Sequence, residues 1–445
     1  MTLPLLPYQV EGAKFLAANE RVGLFDEPGV GKTAQAITAL DIVKANRVIV
    51  VCPAAVRQVW LGEFKKFSAV PRRVLSGKTI QDLNTWLRGR ADVLVTSYEL
   101  ASKWSKHIED IYDVLILDES HYVKNSDTQR TRGLLGNQCD GKNGLAQWAC
   151  RTWFLTGTPA SNDPVDLWPF LRFTGACALG LTPFTNRYFK SWTGTFSSKQ
   201  VTRPEMVSEL RERIKSVSLR RTKEDAGLDI PPIWLTTQTV DGDSEDVRRL
   251  LLEHPGLEQA IVEALRQGGL SFLDAQHVAT LRRLVGEAKA PAYAKLLVEE
   301  LSASTHKVVV MGVHIQALQH VATVLDTHRI GAVVLNGSTT EVGRARAVEQ
   351  FQNDPLCRVF IGNIRAAGTG LTLTASADID MLESSWAPAD NAQALMRVHR
   401  IGQTRKVKGR FISLADSIDD VVTETVRRKT ESIVALGLDM VAMAD

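Results

Sequence analysis

The chain has 445 residues, 44% of them hydrophobic and 23% charged, with a formal net charge of +3. That length is too great for one ordinary core and sets an expectation of two or three domains, while no run approaches the roughly eighteen consecutive apolar residues of a membrane span. The net charge is too small to announce a nucleic-acid binder by itself. Five cysteines, at 52, 139, 150, 177 and 357, contain no CxxC pair, which speaks against a zinc ribbon or disulfide framework and for a reducing cytoplasm. The start, Met1-Thr2-Leu3-Pro4-Leu5, has neither the basic region nor the long apolar stretch of a secretory signal.

Val22, Leu24 and Phe25 read as a buried strand and Ala34 to Val43 as a helix. Between them lies Asp26-Glu27-Pro28-Gly29-Val30-Gly31-Lys32-Thr33, which reads as a phosphate-binding loop. In such a loop backbone N–H groups and a helix N-terminus face anionic oxygens, a lysine here at 32 reaches the β- and γ-phosphates, and a hydroxyl here at 33 is offered to Mg²⁺. The usual pattern has glycine where Asp26 stands, so a plain glycine-rich turn with a solvated Lys32 is the competing reading. Pro28 fixes φ and removes one donor.

Apolar, β-branched runs follow at Arg47 to Cys52, Asp92 to Thr96, Val114 to Leu117 and Thr152 to Leu155, each trailed by a loop and a helical pattern. This βαβα rhythm implies a parallel sheet covered by helices. The third run delivers Asp118-Glu119-Ser120-His121 to a strand's C-terminal end, the edge where such sheets bind ligands. There Asp118 is suited to hold Mg²⁺ and Glu119 to orient and deprotonate a water. From Ser244 to Leu301 the pattern is helical, with breaks expected at Pro255, Gly268-Gly269 and Pro291. Strands return at Lys307 to Met311, Ala332 to Leu335, Arg358 to Ile361 and Ile379 to Leu382. The expected organisation is α/β, with one lobe over 1–235, a helical segment over 236–295 and a second lobe over 296–445. Asn391 to Ala415 carries arginines at 397, 400, 405 and 410 and lysines at 406 and 408 with no acidic residue, for which a solvated basic surface is the default reading. His121, His314 and His399 lie at no metal-ligand spacing, and Trp60, Trp148 and Trp168 read as core or interlobe packing.

The order DEPGVGKT, DESH and Leu155-Thr156-Gly157-Thr158-Pro159 resembles superfamily 2 helicase motors with two RecA-like lobes. Trp386-Ala387-Pro388 followed by Gln393-Ala394-Leu395-Met396-Arg397-Val398-His399-Arg400-Ile401-Gly402-Gln403 is similar to the last motif of Swi/Snf-type DNA translocases. Tyr8-Gln9, Leu219-Arg220-Arg221-Thr222-Lys223 and Leu335-Asn336-Gly337-Ser338-Thr339 also resemble that family, and Ala288-Lys289-Ala290-Pro291 with Gly368-Thr369-Gly370-Leu371-Thr372 looks most like its annealing-helicase (HARP-type) branch. Asp26 is what that family carries at its position, whereas Pro28, Ala160-Ser161-Asn162 and Ser120 depart from it.

The resemblance implies ATP and Mg²⁺ as cofactors, with Gln9 reading adenine and Gly29, Gly31, Lys32 and Thr33 holding the phosphates. It implies that Arg397 and Arg400 stabilise the transferring phosphoryl group, that i,i+3 spacing sets both on one helix face, and that lobe closure completes the site. It gives His121, Thr156, Gln393 and Trp386 coupling roles, and lays Pro53, Thr96, Ser97, Ser338, Thr339 and Thr369 along a nucleic-acid backbone. The implied activity is ATP-dependent translocation on double-stranded DNA, by a monomer, with remodelling of forks or junctions or strand annealing as its output. An RNA-directed motor and a non-translocating ATP-gated clamp are the alternatives. With no chromatin reader or nuclear-localisation run in the chain, a cytoplasmic bacterial or viral setting is the expectation.

Overall fold

The computed structural model describes residues 3–157, 159, 164–193, 198–228, 230–267, 275–364 and 371–435. Two compact units divide after Leu228. In the first, helices α1 (Pro7–Ala18) and α2 (Lys32–Ile42) accompany strands β1 (Arg21–Leu24), β2 (Val48–Cys52), β3 (Val74–Ser76), β4 (Val93–Ser97), β5 (Tyr112–Asp118) and β6 (Ala149–Leu155). Strands β7 (Phe189–Thr193) and β8 (Ser198–Thr202) pair separately, and β9 (Ser218–Leu219) completes the main sheet in the order β3-β4-β2-β5-β6-β1-β9. All its pairings are parallel, with Val48 opposite Val93 on one side and Val114 on the other. The continuous runs Val48-Ile49-Val50-Val51 and Val114-Leu115-Ile116-Leu117 are buried throughout because each face of this sheet carries its own apolar layer.

The second unit holds β10 (Ile233–Val240), β11 (Val308–Gly312), β12 (Gly331–Leu335), β13 (Cys357–Asn363), β14 (Asp378–Met381) and β15 (Val407–Leu414), all parallel, in the order β10-β15-β14-β11-β13-β12. The expected boundary at 235 cuts through β10, which pairs with β15 along its whole length. The segment expected as a separate helical piece belongs to this unit. Val247, Leu257, Ile261, Val278, Leu281 and Val285 from helices Glu245–Glu253, Leu257–Gln267 and Ala275–Ser302 join the same apolar core as Met311, Phe360 and Leu395.

The break at Pro255 is present, but Pro291 lies inside the unbroken helix Ala275–Ser302. Proline there forfeits one backbone hydrogen bond, and burial of the flanking Ala290, Tyr293, Ala294 and Leu297 offsets the loss. The expected break at Gly268-Gly269 falls outside the described residues. Nor is the basic run a solvated surface throughout, since its second half is β15, where Arg410 lies between Asp380 (2.6 Å) and Glu300 (2.5 Å). Among the described residues no helix is long and apolar enough to cross a membrane.

Candidate nucleotide site and nucleic-acid positions

After β1 the backbone turns through Gly29 (φ 91°) and Gly31 (φ 85°), and Gly31 caps α2 from the left-handed region. Both glycines adopt a conformation that other residues reach only with strain. A side chain on Gly31 would also strike the Gln9 carboxamide. That carboxamide is tied to the loop, donating to the Val30 carbonyl (3.2 Å) and accepting from the Leu6 N–H (3.0 Å). The Tyr8 hydroxyl also donates to the Val30 carbonyl, at 3.0 Å. Lys32 Nζ donates to the carbonyls of Asp26 (2.6 Å) and Glu27 (3.1 Å), so the ammonium is curled under the loop it would leave to meet a phosphate.

Asp26, the residue that breaks the usual pattern, is fully buried and gripped by Arg221, whose Nε and Nη2 lie 3.1 and 2.7 Å from its two oxygens. Gln35 donates to the same carboxylate at 3.1 Å, and Arg221 further reaches the Tyr8 carbonyl. The Glu27 N–H donates to the Arg221 carbonyl and the Glu27 carboxylate accepts from the Lys223 N–H. The stretch Leu219 to Lys223 is thus a brace behind the loop, and Asp26 is its anchor. Pro28 has an account as well: its ring lies on Gly157, where a Cβ would come within 2.7 Å of the ring carbons. Replacing Arg221 with methionine leaves the Asp26 carboxylate buried and unpaired, and is expected to destabilise the first unit by about 3 to 5 kcal/mol in urea unfolding. Adding Asp26→Asn should recover part of that loss.

Strand β5 brings Asp118 to the C-terminal edge of the same sheet. Its Oδ2 accepts from Trp60 Nε1 (2.8 Å), its Oδ1 from the Glu119 N–H (3.0 Å), and its backbone carbonyl from the Tyr98 hydroxyl (2.7 Å). Burial first, and the neighbouring Glu119 charge second, push the Asp118 carboxyl up to about 7, against the pull of Trp60 and the nearby Lys32 ammonium. Glu119 sits at φ 53°, in the left-handed region. Its Oε2 is 3.4 Å from His121 Nδ1, which also lies 3.2 Å from Thr156 Oγ1, so the imidazole joins the carboxylate turn to the end of β6. The donor chemistry suits a magnesium nucleotide: hard oxygens on Asp118 and Thr33, an ammonium on Lys32, and a buried carboxylate whose ionised form a divalent cation would relieve.

Two expectations follow from this geometry. Because Asp118 holds its proton up to about 7 when folded but only to near 3.8 when unfolded, the unfolded state binds fewer protons between those values, and stability of the empty protein falls as pH rises through that window. A magnesium ion held on Asp118 would require the carboxylate, so Mg-nucleotide affinity should rise through the same window and level off above it. Calorimetry in buffers of different ionisation enthalpy should give about one proton released at about pH 6 and almost none at about pH 8. In the other case, Tyr98→Phe removes the donor that fixes the Asp118–Glu119 peptide; kcat should fall about tenfold with KM for ATP nearly unchanged.

In the second unit, the helix expected to carry both arginines stops at Leu395, and Arg397 and Arg400 lie on the turns beyond it. The chain tightens through Val398 N–H to Leu395 and Gln403 N–H to Arg400, then reverses at Gly402 (φ 97°). Gln403 locks the reversal by donating to the Ser376 carbonyl at 2.7 Å. Arg397 is buried and its carbonyl accepts from the Leu373 N–H, whereas Arg400 is half-buried with Nη1 3.0 Å from the Leu371 carbonyl. Gln393 is half-buried on the helix itself, Trp386 packs against the core with the Arg282 guanidinium 4.8 Å above its ring, and His399 is bonded to the Pro231 carbonyl.

The backbone-gripping set divides. Thr96 is buried and donates to the Gly77 carbonyl, Ser97 is buried and caps the helix Tyr98–Trp104, and Pro53 is buried at the head of a short helical turn. In these contacts Thr96 and Ser97 support the fold, since strand ends use hydroxyls as caps for the same reason that they offer them to ligands. Ser338 is exposed and Thr339 half-buried, on a turn organised by the Asn336 side chain and braced by Arg344. Thr369 lies outside the described residues. Trp60, Tyr98 and Arg221 were not expected at the site. For Trp60 and Tyr98 nothing in their spacing could have pointed there, since their partners lie 58 and 20 residues away.

Two parallel sheets flanked by helices, one bearing a phosphate-binding loop beside an Asp-Glu turn, define a helicase-like ATPase with RecA-like lobes. The SNF2-related domain model matches residues 8–246 and the helicase conserved C-terminal domain model residues 289–402, and the chain belongs to the SNF2-related family. It is 27% identical over 461 residues to the SWI/SNF-related matrix-associated actin-dependent regulator of chromatin subfamily A-like protein 1 homolog of Caenorhabditis elegans, covering 99% of this chain and 63% of that protein. It is 28% identical over 447 residues to the human DNA annealing helicase and endonuclease ZRANB3, covering 96% of this chain and 40% of that protein. The annealing-helicase branch expected from the motifs is therefore among its relatives, although the chain spans under two thirds of their length. Among solved structures, the Sulfolobus solfataricus SWI2/SNF2 ATPase core in complex with dsDNA is similar at 19% identity and a TM-score of 0.45, covering 99% of this chain and 97% of that one.

Proposed function

We propose that the protein is an ATP-driven translocase on double-stranded DNA that remodels branched DNA or protein–DNA complexes. The observation that carries this reading is the sheet edge of the first unit where Asp118 lies in the field of the Lys32 ammonium and Glu119, His121 and Thr156 are joined through one imidazole. Asp118 and Thr33 would hold a magnesium ion, which would supply charge neutralisation for the nucleotide phosphates. Lys32 exchanges the Asp26 and Glu27 carbonyls for phosphate oxygens. Glu119 orients the attacking water and takes its proton, and His121 passes the state of that carboxylate to Thr156. Arg397 and Arg400 stabilise the negative charge that spreads over the transferring phosphoryl group. The exposed turn at Ser338 grips backbone phosphates without reading bases.

The test is ATP hydrolysis measured with duplex, forked, four-way-junction and single-stranded DNA and with RNA. Duplex-containing DNA should stimulate turnover and RNA should not. Equal or stronger stimulation by RNA would replace this reading with an RNA-directed motor.

A further inference from the structure

Strand β10 is an edge of its sheet, and its second residue, Trp234, is 58% exposed. The neighbouring Leu235 is buried in the core, so alternation along the strand pins the indole outward. Trp234 is the register partner of Lys408 on β15, and Lys408 of Asp378 on β14, which places all three in one row on one sheet face. In the next row Arg410 is consumed by Asp380 and by Glu300 of the overlying helix Ala275–Ser302. The first row stays open. Lys408 is exposed, and Lys406, from the turn before β15, holds its ammonium 5.4 Å from the Trp234 ring centroid. Arg405 is exposed beside them and donates to the Ala375 carbonyl at 2.8 Å. Two lysine ammonium groups thus accompany the exposed indole, one at its ring and one in its own row, where Asp378 is the next register partner. This corner lies at the N-terminal ends of the strands, opposite the edge that bears Ser338 and Trp386.

We propose that Trp234, Lys406 and Lys408 form a platform for single-stranded nucleic acid, separate from any duplex track. An exposed indole whose ring is covered by a single lysine ammonium fits a base that displaces the lysine from the ring and sets its phosphates against Lys406 and Lys408. A duplex keeps its base faces stacked on one another and has none to offer the indole, so the occupant is a single strand.

The experiment is fluorescence anisotropy with labelled oligothymidylate and with a hairpin duplex, on the full chain. Trp234→Ala should weaken oligothymidylate binding about tenfold or more, while Trp234→Phe, which keeps a stacking ring, retains most of it. Lys406→Ala with Lys408→Ala should lower the slope of log affinity against log salt by about 1.4, at roughly 0.7 for each single-strand phosphate contact. Duplex affinity and duplex-stimulated hydrolysis should stay at wild-type levels in all of them. The proposal is overturned if Trp234→Ala binds oligothymidylate within about twofold of wild type, or if single-strand and duplex affinities fall together. Loss of oligothymidylate binding in a protein whose hydrolysis ignores DNA would uphold this platform and defeat the translocase reading instead.

Discussion

Glu119→Gln is expected to bind ATP with near-wild-type affinity and to turn it over about 10² to 10⁴ times more slowly. Glutamine keeps the size and shape of the side chain, so the left-handed turn at 119 and the neighbouring Asp118 should be undisturbed. What disappears is a group able to take a proton from water. The contact to His121 changes from a carboxylate to a carboxamide, and a weakened link to Thr156 would add a loss of DNA stimulation to the loss of basal rate. Single-turnover hydrolysis alongside nucleotide binding separates the two effects. Wild-type turnover in this variant would remove Glu119 from the base role.

Arg400→Ala is expected to cost about 10³ to 10⁵ in DNA-stimulated kcat, the range for arginines that stabilise a transferring phosphoryl group. The side chain is half-buried and donates to the Leu371 carbonyl, so some local loosening accompanies the loss of charge. Arg400→Lys controls for this: it keeps the cation while losing the planar fork, and should recover little activity if geometry matters as proposed. Unchanged kcat in Arg400→Ala would mean that the residue holds its turn and nothing more. Arg397 is the poorer choice for such a test because it is more deeply buried and its backbone supports Leu373.

Most of the strands were legible because a parallel sheet covered on both faces turns its strands into uninterrupted apolar runs, as in Val48 to Cys52 and Val308 to Met311. β15 escaped notice because Lys408 and Arg410 interrupt it, and the burial of Arg410 depends on Asp380 and Glu300, which only the fold brings near. Pro291 misled in the opposite direction, since local propensity is outweighed by the packed residues on either side. At the site, the loop and the Asp-Glu turn were readable because each is local in sequence. Their supports were not: Arg221 reaches Asp26 across 195 residues, and Trp60 reaches Asp118 across 58. At Thr96 and Ser97 the hydroxyls bond the fold, and a cap and a ligand contact have the same signature in sequence.

Translocation is tested most directly by displacement of a third strand from a DNA triplex, followed with wild-type protein and with Glu119→Gln. The proposed mechanism predicts ATP-dependent displacement by the wild type that lengthens with the duplex track, and none by the variant. Strong DNA-stimulated hydrolysis by the wild type with no displacement would contradict it and identify an ATP-gated clamp.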